Sequence, residues 1–293
     1  MEEGLIYKAF GLNWYSNILK IPELNIANGY KKDVVIDTRN SFSNESKSFL
    51  GVKDQHFCLN IKDLANFEMI DGKKITINSS QDCNHDALRS FLLGSVMGGI
   101  LIQRNILLLH GNALEKSGKV IICLGESGIG KSTISYLLML RGWKLLADDL
   151  VAINENGFVL PGIPRIKLWK DTIEALNLDF SKFRHLHFYE DKYVVEIEKN
   201  RLSLKSNKLS KIFFLNKMNF ISEELVKPKL IENERENMKY LKKNLYRPEY
   251  ITRMKNEYLY FSKLAKLAKN IPCFYLDIPK KFSILKNIID SNF

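Results

Sequence analysis

The chain has 293 residues, a formal net charge of +11 at pH 7 and 45% hydrophobic residues, which is the composition of a globular protein whose length suggests two domains. The longest apolar stretch, residues 91–102, is shorter than the roughly 18–20 residues that cross a bilayer, so we expect no membrane anchor. Residues 1–4 lack the basic flank and apolar segment of a secretory signal, and we therefore expect a cytoplasmic protein.

The first part of the chain has the pattern of a mostly antiparallel β-sheet. Short runs of alternating character, separated by turn residues, lie at residues 6–10, 34–36, 56–61, 67–70 and 75–77. Asp71-Gly72 stands between the last two runs and is a strong hairpin signal. We predict a β-rich α+β domain over residues 1–84.

A helical periodicity over residues 86–104 opens a second predicted domain, residues 85–293. It is followed by predicted strands at 106–110 and 120–124, a helix over 132–141 and a strand at 144–147. Strand, loop, helix and strand in this order form a nucleotide-binding α/β unit. Later elements are a helix near 171–178, strands at 211–215 and 273–276, and a terminal helix from Lys280.

The positive charge is concentrated near the end of the chain. Residues 201–270 contain 17 Lys or Arg and 7 Asp or Glu, a net charge of +10. Lysines alternate with apolar residues at 261–269, which predicts a helix with a solvated lysine face. We favour that interpretation over a surface for an acidic peptide or nucleic acid, and we expect no nucleic-acid partner.

Residues 125–133 form a complete G-x-x-x-x-G-K-[ST] phosphate-binding loop, or P-loop. Its glycines let successive N–H groups point at phosphate oxygens, and the following helix directs its positive end at the same anion. Lys131 is expected over the outer phosphates, and the Ser132 hydroxyl is expected to hold Mg²⁺. The predicted nucleotide-binding residues of the loop are Gly125, Glu126, Ser127, Gly128, Ile129, Gly130, Lys131, Ser132 and Thr133.

Asp148 and Asp149 end the strand that follows the loop's helix, and Asp149 lies 18 residues after Lys131. Ligands of α/β sheets bind outside the carboxyl ends of strands, so one carboxylate can serve Mg²⁺ while the other accepts a proton from a hydroxyl. The pattern does not say which residue has which role. The alternative is that the two aspartates only cap a helix or form a turn.

These residues resemble a known family. Leu109-His110-Gly111, the loop at 125–132, Arg141-Gly142 and 146–149 closely resemble the catalytic domain of HPr kinase/phosphorylase, spacings included. The resemblance implies that His110, Lys131 and Asp149 are active-site residues, with Asp149 taking the proton of the target serine. It also implies a P-loop HPr-kinase-like α/β catalytic domain.

The other segments resemble a divergent branch of serine kinases found beside peptide-modification genes, including those of lasso peptides. The similar segments are residues 7–12, 22–24, 91–94 and 161–169. The Glu- and Gly-rich segment that follows the catalytic Asp in HPr kinases has no match here. The resemblance therefore implies neither the reverse phosphorolysis nor HPr itself as the acceptor.

We accordingly predict an ATP- and Mg²⁺-dependent serine kinase that acts on a peptide or protein. Arg165 and Arg247 are candidates for stabilising charge on the transferred phosphoryl group, although a surface ion pair would explain either one equally well. A nucleotide-binding regulatory protein without transfer activity and a small-molecule kinase remain as alternatives. A homo-oligomer is compatible with the sequence.

Overall fold

The structure, a computed structural model, describes residues 4–17, 19–39, 47–80, 82–186, 191–218, 226–279 and 281–293. These residues form a mixed α/β structure with two eight-stranded sheets and a three-stranded sheet. The chain divides into one compact unit of Met1–Leu108 with Arg247–Tyr260 and another of Leu109–Tyr246 with Phe261–Phe293. Residues 85–108 thus lie in the first unit. The domain boundary predicted from the sequence follows residue 84, and that boundary stays a prediction.

The strands follow the alternating and apolar runs of the sequence. They are β1 (Leu5–Ala9), β2 (Leu12–Ser16), β3 (Asn25–Ile26), β4 (Val34–Arg39), β5 (Phe49–Lys53), β6 (His56–Ile61), β7 (Ala65–Ile70), β8 (Lys74–Ser79), β9 (Leu107–Lys116), β10 (Lys119–Leu124), β11 (Lys144–Ala147), β12 (Leu150–Ile153), β13 (Phe158–Val159), β14 (Arg165–Trp169), β15 (Arg184–His185), β16 (Lys192–Glu196), β17 (Asn207–Lys217), β18 (Lys229–Leu230) and β19 (Cys273–Ile278).

The helices are α1 (His85–Phe91), α2 (Met97–Gln103), α3 (Lys131–Met139), α4 (Lys170–Ala175), α5 (Glu234–Lys243), α6 (Pro248–Arg253), α7 (Glu257–Asn270) and α8 (Phe282–Asn292). A π-helical segment, Leu92–Val96, joins α1 to α2. Among the described residues, no helix combines the length and the apolar character that a crossing of a membrane requires.

The sheet of the first unit has the strand order β3-β1-β2-β4-β8-β7-β6-β5. β4 is parallel to both β2 and β8, and the other pairs in the sheet are antiparallel. The mostly antiparallel sheet is therefore confirmed. So is the hairpin between β7 and β8, where Asp71 and Gly72 both have positive φ angles and Ile70 pairs with Lys74.

In the second unit, β10, the loop, α3 and β11 follow one another as predicted. β10 and β11 do not pair with each other, because each is antiparallel to β9, which lies between them. On its other side β10 is parallel to β17, which is in turn parallel to β19. α3 packs its apolar face, which includes Ile134 and Leu138, into a buried cluster with Phe213 of β17 and Ile288 of α8. The helix after the loop is thereby fixed on the sheet.

Gly111 lets β9 lie closely against β10. A Cβ atom at this position would be 2.5 Å from Leu124 Cδ2 and 2.6 Å from the carbonyl oxygen of Cys123. The close approach concerns backbone as well as side chain, so it cannot be relieved by a change of rotamer alone. Its neighbours His110 and Asn112 owe their positions to this pairing.

We expect Gly111→Ala to lower the free energy of unfolding by about 1–3 kcal/mol, because the added methyl group forces β9 and β10 apart. Gly51→Ala is the matched control, since the nearest atoms to its added Cβ are at 3.8 Å, and its effect should stay within about 0.5 kcal/mol. Chemical denaturation of both variants measures the difference. Equal midpoints would contradict the close approach of the strands.

Candidate functional site

The phosphate-binding loop has a backbone that only its glycines adopt readily. The φ angles of Gly125, Gly128 and Gly130 are +155°, +80° and +104°. A Cβ on Gly125 would also be 3.0 Å from the carbonyl oxygen of Leu215, so this residue is restricted by space as well as by conformation. Gly130 caps α3, whose N-terminus is directed at the concave side of such a loop.

Lys131, the first residue of α3, folds back onto the loop. Its Nζ donates hydrogen bonds to the carbonyl oxygens of Gly125 at 2.7 Å and Glu126 at 3.0 Å. The side chain is buried, and this burial lowers the pKa of the Lys131 ammonium, although the charges of Asp149 and Asp148 act in the opposite direction. A buried ammonium held by neutral carbonyl groups is suited to meet an anion.

Ser132 connects the loop's helix to the acidic pair. Its Oγ donates to Asp148 Oδ1 at 3.3 Å, and Asn112 Nδ2 lies 3.5 Å from the same Oγ. Asn112 donates a shorter bond of 2.9 Å to Ser135 Oγ, and it is almost completely buried. Asn112 was not predicted from the sequence, because a single Asn within an apolar strand has no local signature.

Asp148 has an environment that disfavours its charge. Burial, and then the charge of Asp149, raise the pKa of Asp148 to about 6. The backbone N–H of Lys167 donates to Asp148 Oδ2 at 2.9 Å and partly offsets this increase in pKa. With its other oxygen on Ser132, Asp148 is the member of the pair that faces the loop's helix.

Asp149 points in another direction, because the chain reverses at this residue. Its φ angle is +70°, and the N–H of Leu150 donates to the carbonyl oxygen of Asp148 at 2.8 Å across the turn. Asp149 Oδ1 lies 3.4 Å from His110 Nδ1, and Oδ2 lies 2.7 Å from Lys167 Nζ. The two adjacent carboxylates therefore have separate partners.

The pKa values of Asp149 and His110 are both lowered, but for different reasons. Burial opposes the charge of Asp149, but Lys167 and His110 outweigh it and lower its pKa below the ordinary range. Burial also lowers the pKa of His110, helped by the positive charges of Lys131 and Lys192 against the opposing effect of Asp149. His110 Nδ1 donates to the Asp149 carbonyl oxygen at 3.1 Å and so holds the aspartate in place.

Two lysines that the sequence analysis did not single out belong to this cluster. Lys167 comes from β14 and Lys192 from β16. Lys192 acts electrostatically on both aspartates, and its Nζ lies 5.0 Å from the centre of the Trp169 ring. Side chains alternate along β14, so Lys167 lies on the other face of the strand from Ile166 and Leu168. This alternation is the sequence signal that could have identified Lys167.

The other predicted residues have different surroundings. Arg165 is buried, with 4% of its surface exposed, so a surface ion pair is wrong for this residue. Arg247 belongs to the first unit, where it donates to Ser95 Oγ at 2.8 Å and lies 3.6 Å from Glu249. Glu126 is exposed and forms an ion pair with Lys243 at 2.7 Å. The remaining loop residues are partly or fully exposed, and Thr133 Oγ1 lies 2.9 Å from Thr172 Oγ1.

The donor set of the acidic pair fits a hard cation. The described residues contain no group of three or more His, Cys, Asp or Glu side chains arranged for a metal ion. Asp148 and Ser132 instead offer two adjacent oxygens, and Mg²⁺ is commonly held by one or two carboxylates while water and phosphate complete its coordination. The raised pKa of Asp148 also indicates that added positive charge beside it would be stabilising.

Comparison with known proteins gives relatives over part of the chain. A protein named HPr kinase/phosphorylase from Caldanaerobacter subterraneus subsp. tengcongensis is 47% identical to this chain over 49 residues, which are 17% of this chain and 16% of that protein. One from Clostridium botulinum (strain Eklund 17B / Type B) is 43% identical over 61 residues, or 20% of each chain. One from Clostridium beijerinckii is 37% identical over 71 residues, or 24% of each.

The chain thus spans at most about a quarter of the length of these relatives. No family model matches it. The alignment with the solved structure of the Hpr(Ser) kinase/phosphatase from Coxiella burnetii covers 62% of this chain and 93% of that chain, at 14% identity and a TM-score of 0.31. Over the part of its length that these relatives cover, the chain is similar to HPr kinase/phosphorylases.

Proposed function

We propose that the chain is a kinase that uses ATP and Mg²⁺ to transfer a phosphoryl group to a serine hydroxyl of a peptide or protein. The hydrogen bond between Ser132 and Asp148 carries this proposal. It joins the N-terminus of the helix after the phosphate loop to an acidic pair whose second member is paired with His110 and Lys167. The partial similarity to HPr kinase/phosphorylases agrees with it.

In this proposal the loop binds the triphosphate. The N–H groups of residues 125–131 and the N-terminus of α3 contact phosphate oxygens. The Lys131 ammonium leaves the two carbonyl oxygens of the loop and binds the outer phosphates. Ser132 and Asp148 hold Mg²⁺, which when bound neutralises charge on the phosphates. This assigns the metal to Asp148, because Asp148 is the aspartate that contacts Ser132.

The other aspartate is assigned to the acceptor. About one third of the Asp149 side chain is exposed, so a serine hydroxyl can approach it. Asp149 orients the hydroxyl and accepts its proton, and His110 keeps the carboxylate in position. Because phosphoryl transfer needs little covalent help from the protein, positioning and electrostatic stabilisation supply most of the acceleration.

The test incubates the protein with ATP, Mg²⁺ and either HPr or a library of synthetic peptides that each contain one serine. Mass spectrometry should find one added phosphate on serine and none on matched peptides with alanine in its place. Nucleotide binding without turnover would support a regulatory protein, and phosphate on a metabolite alone would support a small-molecule kinase. Either of these results would overturn the proposal.

Lys131→Ala should weaken nucleotide binding and transfer together, since both need the ammonium at the phosphates. Lys144→Ala is the matched control, because Lys144 is exposed on β11. Isothermal titration with a non-hydrolysable ATP analogue and a transfer assay measure the two effects. Unchanged binding in Lys131→Ala would argue against the position given to the triphosphate.

Asp149→Asn should retain nucleotide affinity within about threefold and lose transfer by roughly 10²–10⁴-fold, because the amide cannot accept the serine proton. Asparagine tolerates a positive φ angle, so the turn at this residue is preserved. Single-turnover transfer and circular dichroism are the measurements. Full activity of a folded Asp149→Asn variant would remove Asp149 from the mechanism.

Asp148→Asn should stabilise the metal-free protein above about pH 6. The raised pKa of Asp148 means that the folded state binds its proton more tightly than the unfolded state does, so Asp148 costs stability as pH rises from about 4 to 6. Because Asp148 is partly exposed, we expect a gain of roughly 1–2 kcal/mol at about pH 8. The gain should vanish below about pH 3, where the residue is protonated in both states.

Denaturation in the presence of a chelator measures this gain at several pH values. Asp171→Asn, at an exposed site on α4, is the control and should change stability by less than about 0.5 kcal/mol. A loss of stability in Asp148→Asn at high pH would contradict the proposed cost of the buried charge.

A further inference from the structure

The strongest unassigned feature of the site is Lys167. It holds both aspartates at once, through two different groups. Its ammonium lies 2.7 Å from Asp149 Oδ2, and its backbone N–H donates to Asp148 Oδ2 at 2.9 Å. Only 18% of its side chain is exposed, so the ammonium is directed into the site instead of into solvent.

The position of Lys167 is fixed by the strand that carries it. In the antiparallel pairing of β14 with β16, Lys167 is opposite Val194, and Ile166 and Leu168 lie fully buried on either side. The Lys167 N–H that reaches Asp148 leaves the strand on the side away from β16. The strand therefore presents a backbone donor and an ammonium to neighbouring carboxylates at a defined spacing.

The charges around the acidic pair leave an excess of positive charge. Lys131, Lys167 and Lys192 all act on the two carboxylates. Three ammonium groups against two carboxylates leave one positive charge in a partly buried site. The excess grows when a carboxylate becomes neutral, and an incoming phosphoryl group is the kind of anion that would balance it.

We propose that Lys167 is a positioning residue of the transfer reaction, which holds Asp149 ready for the acceptor and releases its ammonium to the phosphoryl group when Asp149 takes the proton. This inference rests on the proposed kinase function. In the transfer, the serine oxygen forms a bond to the γ-phosphorus and the bond from phosphorus to the β,γ-bridging oxygen breaks, which leaves ADP. The serine proton moves to an Asp149 oxygen.

Proton transfer breaks the ion pair at the moment when the ammonium is needed elsewhere. A neutral Asp149 attracts the Lys167 ammonium far less than the carboxylate does, while negative charge arrives on the serine oxygen and its new phosphoryl group. Lysine is suited to this exchange, because its point charge on a flexible stem can change partners by rotation. The role predicted for Arg165 and Arg247 stays a separate prediction.

The test compares Lys167→Met, Lys167→Arg and the control Lys170→Met, whose lysine is exposed and lies 4.0 Å from Glu174. Lys167→Met should lower kcat for phosphorylation of the peptide library by roughly 10²–10³-fold, while affinity for the ATP analogue changes less than about threefold. The kcat of Lys167→Arg should lie within about tenfold of the parent value, and the kcat of Lys170→Met should equal it.

Each outcome separates this inference from the proposed function. A parent protein that transfers phosphate, with a Lys167→Met variant within about threefold of its kcat, would overturn the role of Lys167 and leave the kinase intact. A parent without transfer activity would overturn both. If Lys167→Met loses nucleotide binding and thermal stability together with kcat, the residue is only structural. Should Lys167→Met not fold, Lys167→Gln, which still donates to Asp149, is judged by the same criteria.

Discussion

The separation of two adjacent carboxylates toward different partners is the constraint on which the site depends. Asp148 and Asp149 follow β11 directly, and the positive φ angle of Asp149 sends their side chains to different partners. Asp148 meets Ser132 and the Lys167 N–H, while Asp149 meets His110 and the Lys167 ammonium. Burial, and then the charge of Asp149, raise the pKa of Asp148, whereas Lys167 and His110 lower the pKa of Asp149.

This separation gives two carboxylates two chemical environments. A carboxylate whose charge is disfavoured is stabilised by a nearby cation, and one whose charge is favoured stays available for a hydroxyl. Lys167 and His110 supply the difference, because both contact the Asp149 carboxylate directly. The proposed metal and acceptor roles follow from this asymmetry.

The sequence predicted the elements around the site well, since their signals are local. The loop, the helix ending before Gly142 and the strand up to Ala147 lie where the pattern indicated. The predicted strand at residues 106–110 extends to Lys116, because pairing with β10 continues to the turn. The sequence could not show that β9 lies between β10 and β11, since strand order depends on long-range packing.

By itself, the sequence determined the phosphate loop and its spacing to the acidic pair, because glycine conformations and helix starts are set by neighbouring residues. Only the tertiary structure decided which cations reach that pair. Lys167 and Lys192 meet the aspartates through the register of β14 with β16. Their charge is visible in the sequence, but only the pairing of strands that are distant along the chain brings it to the aspartates.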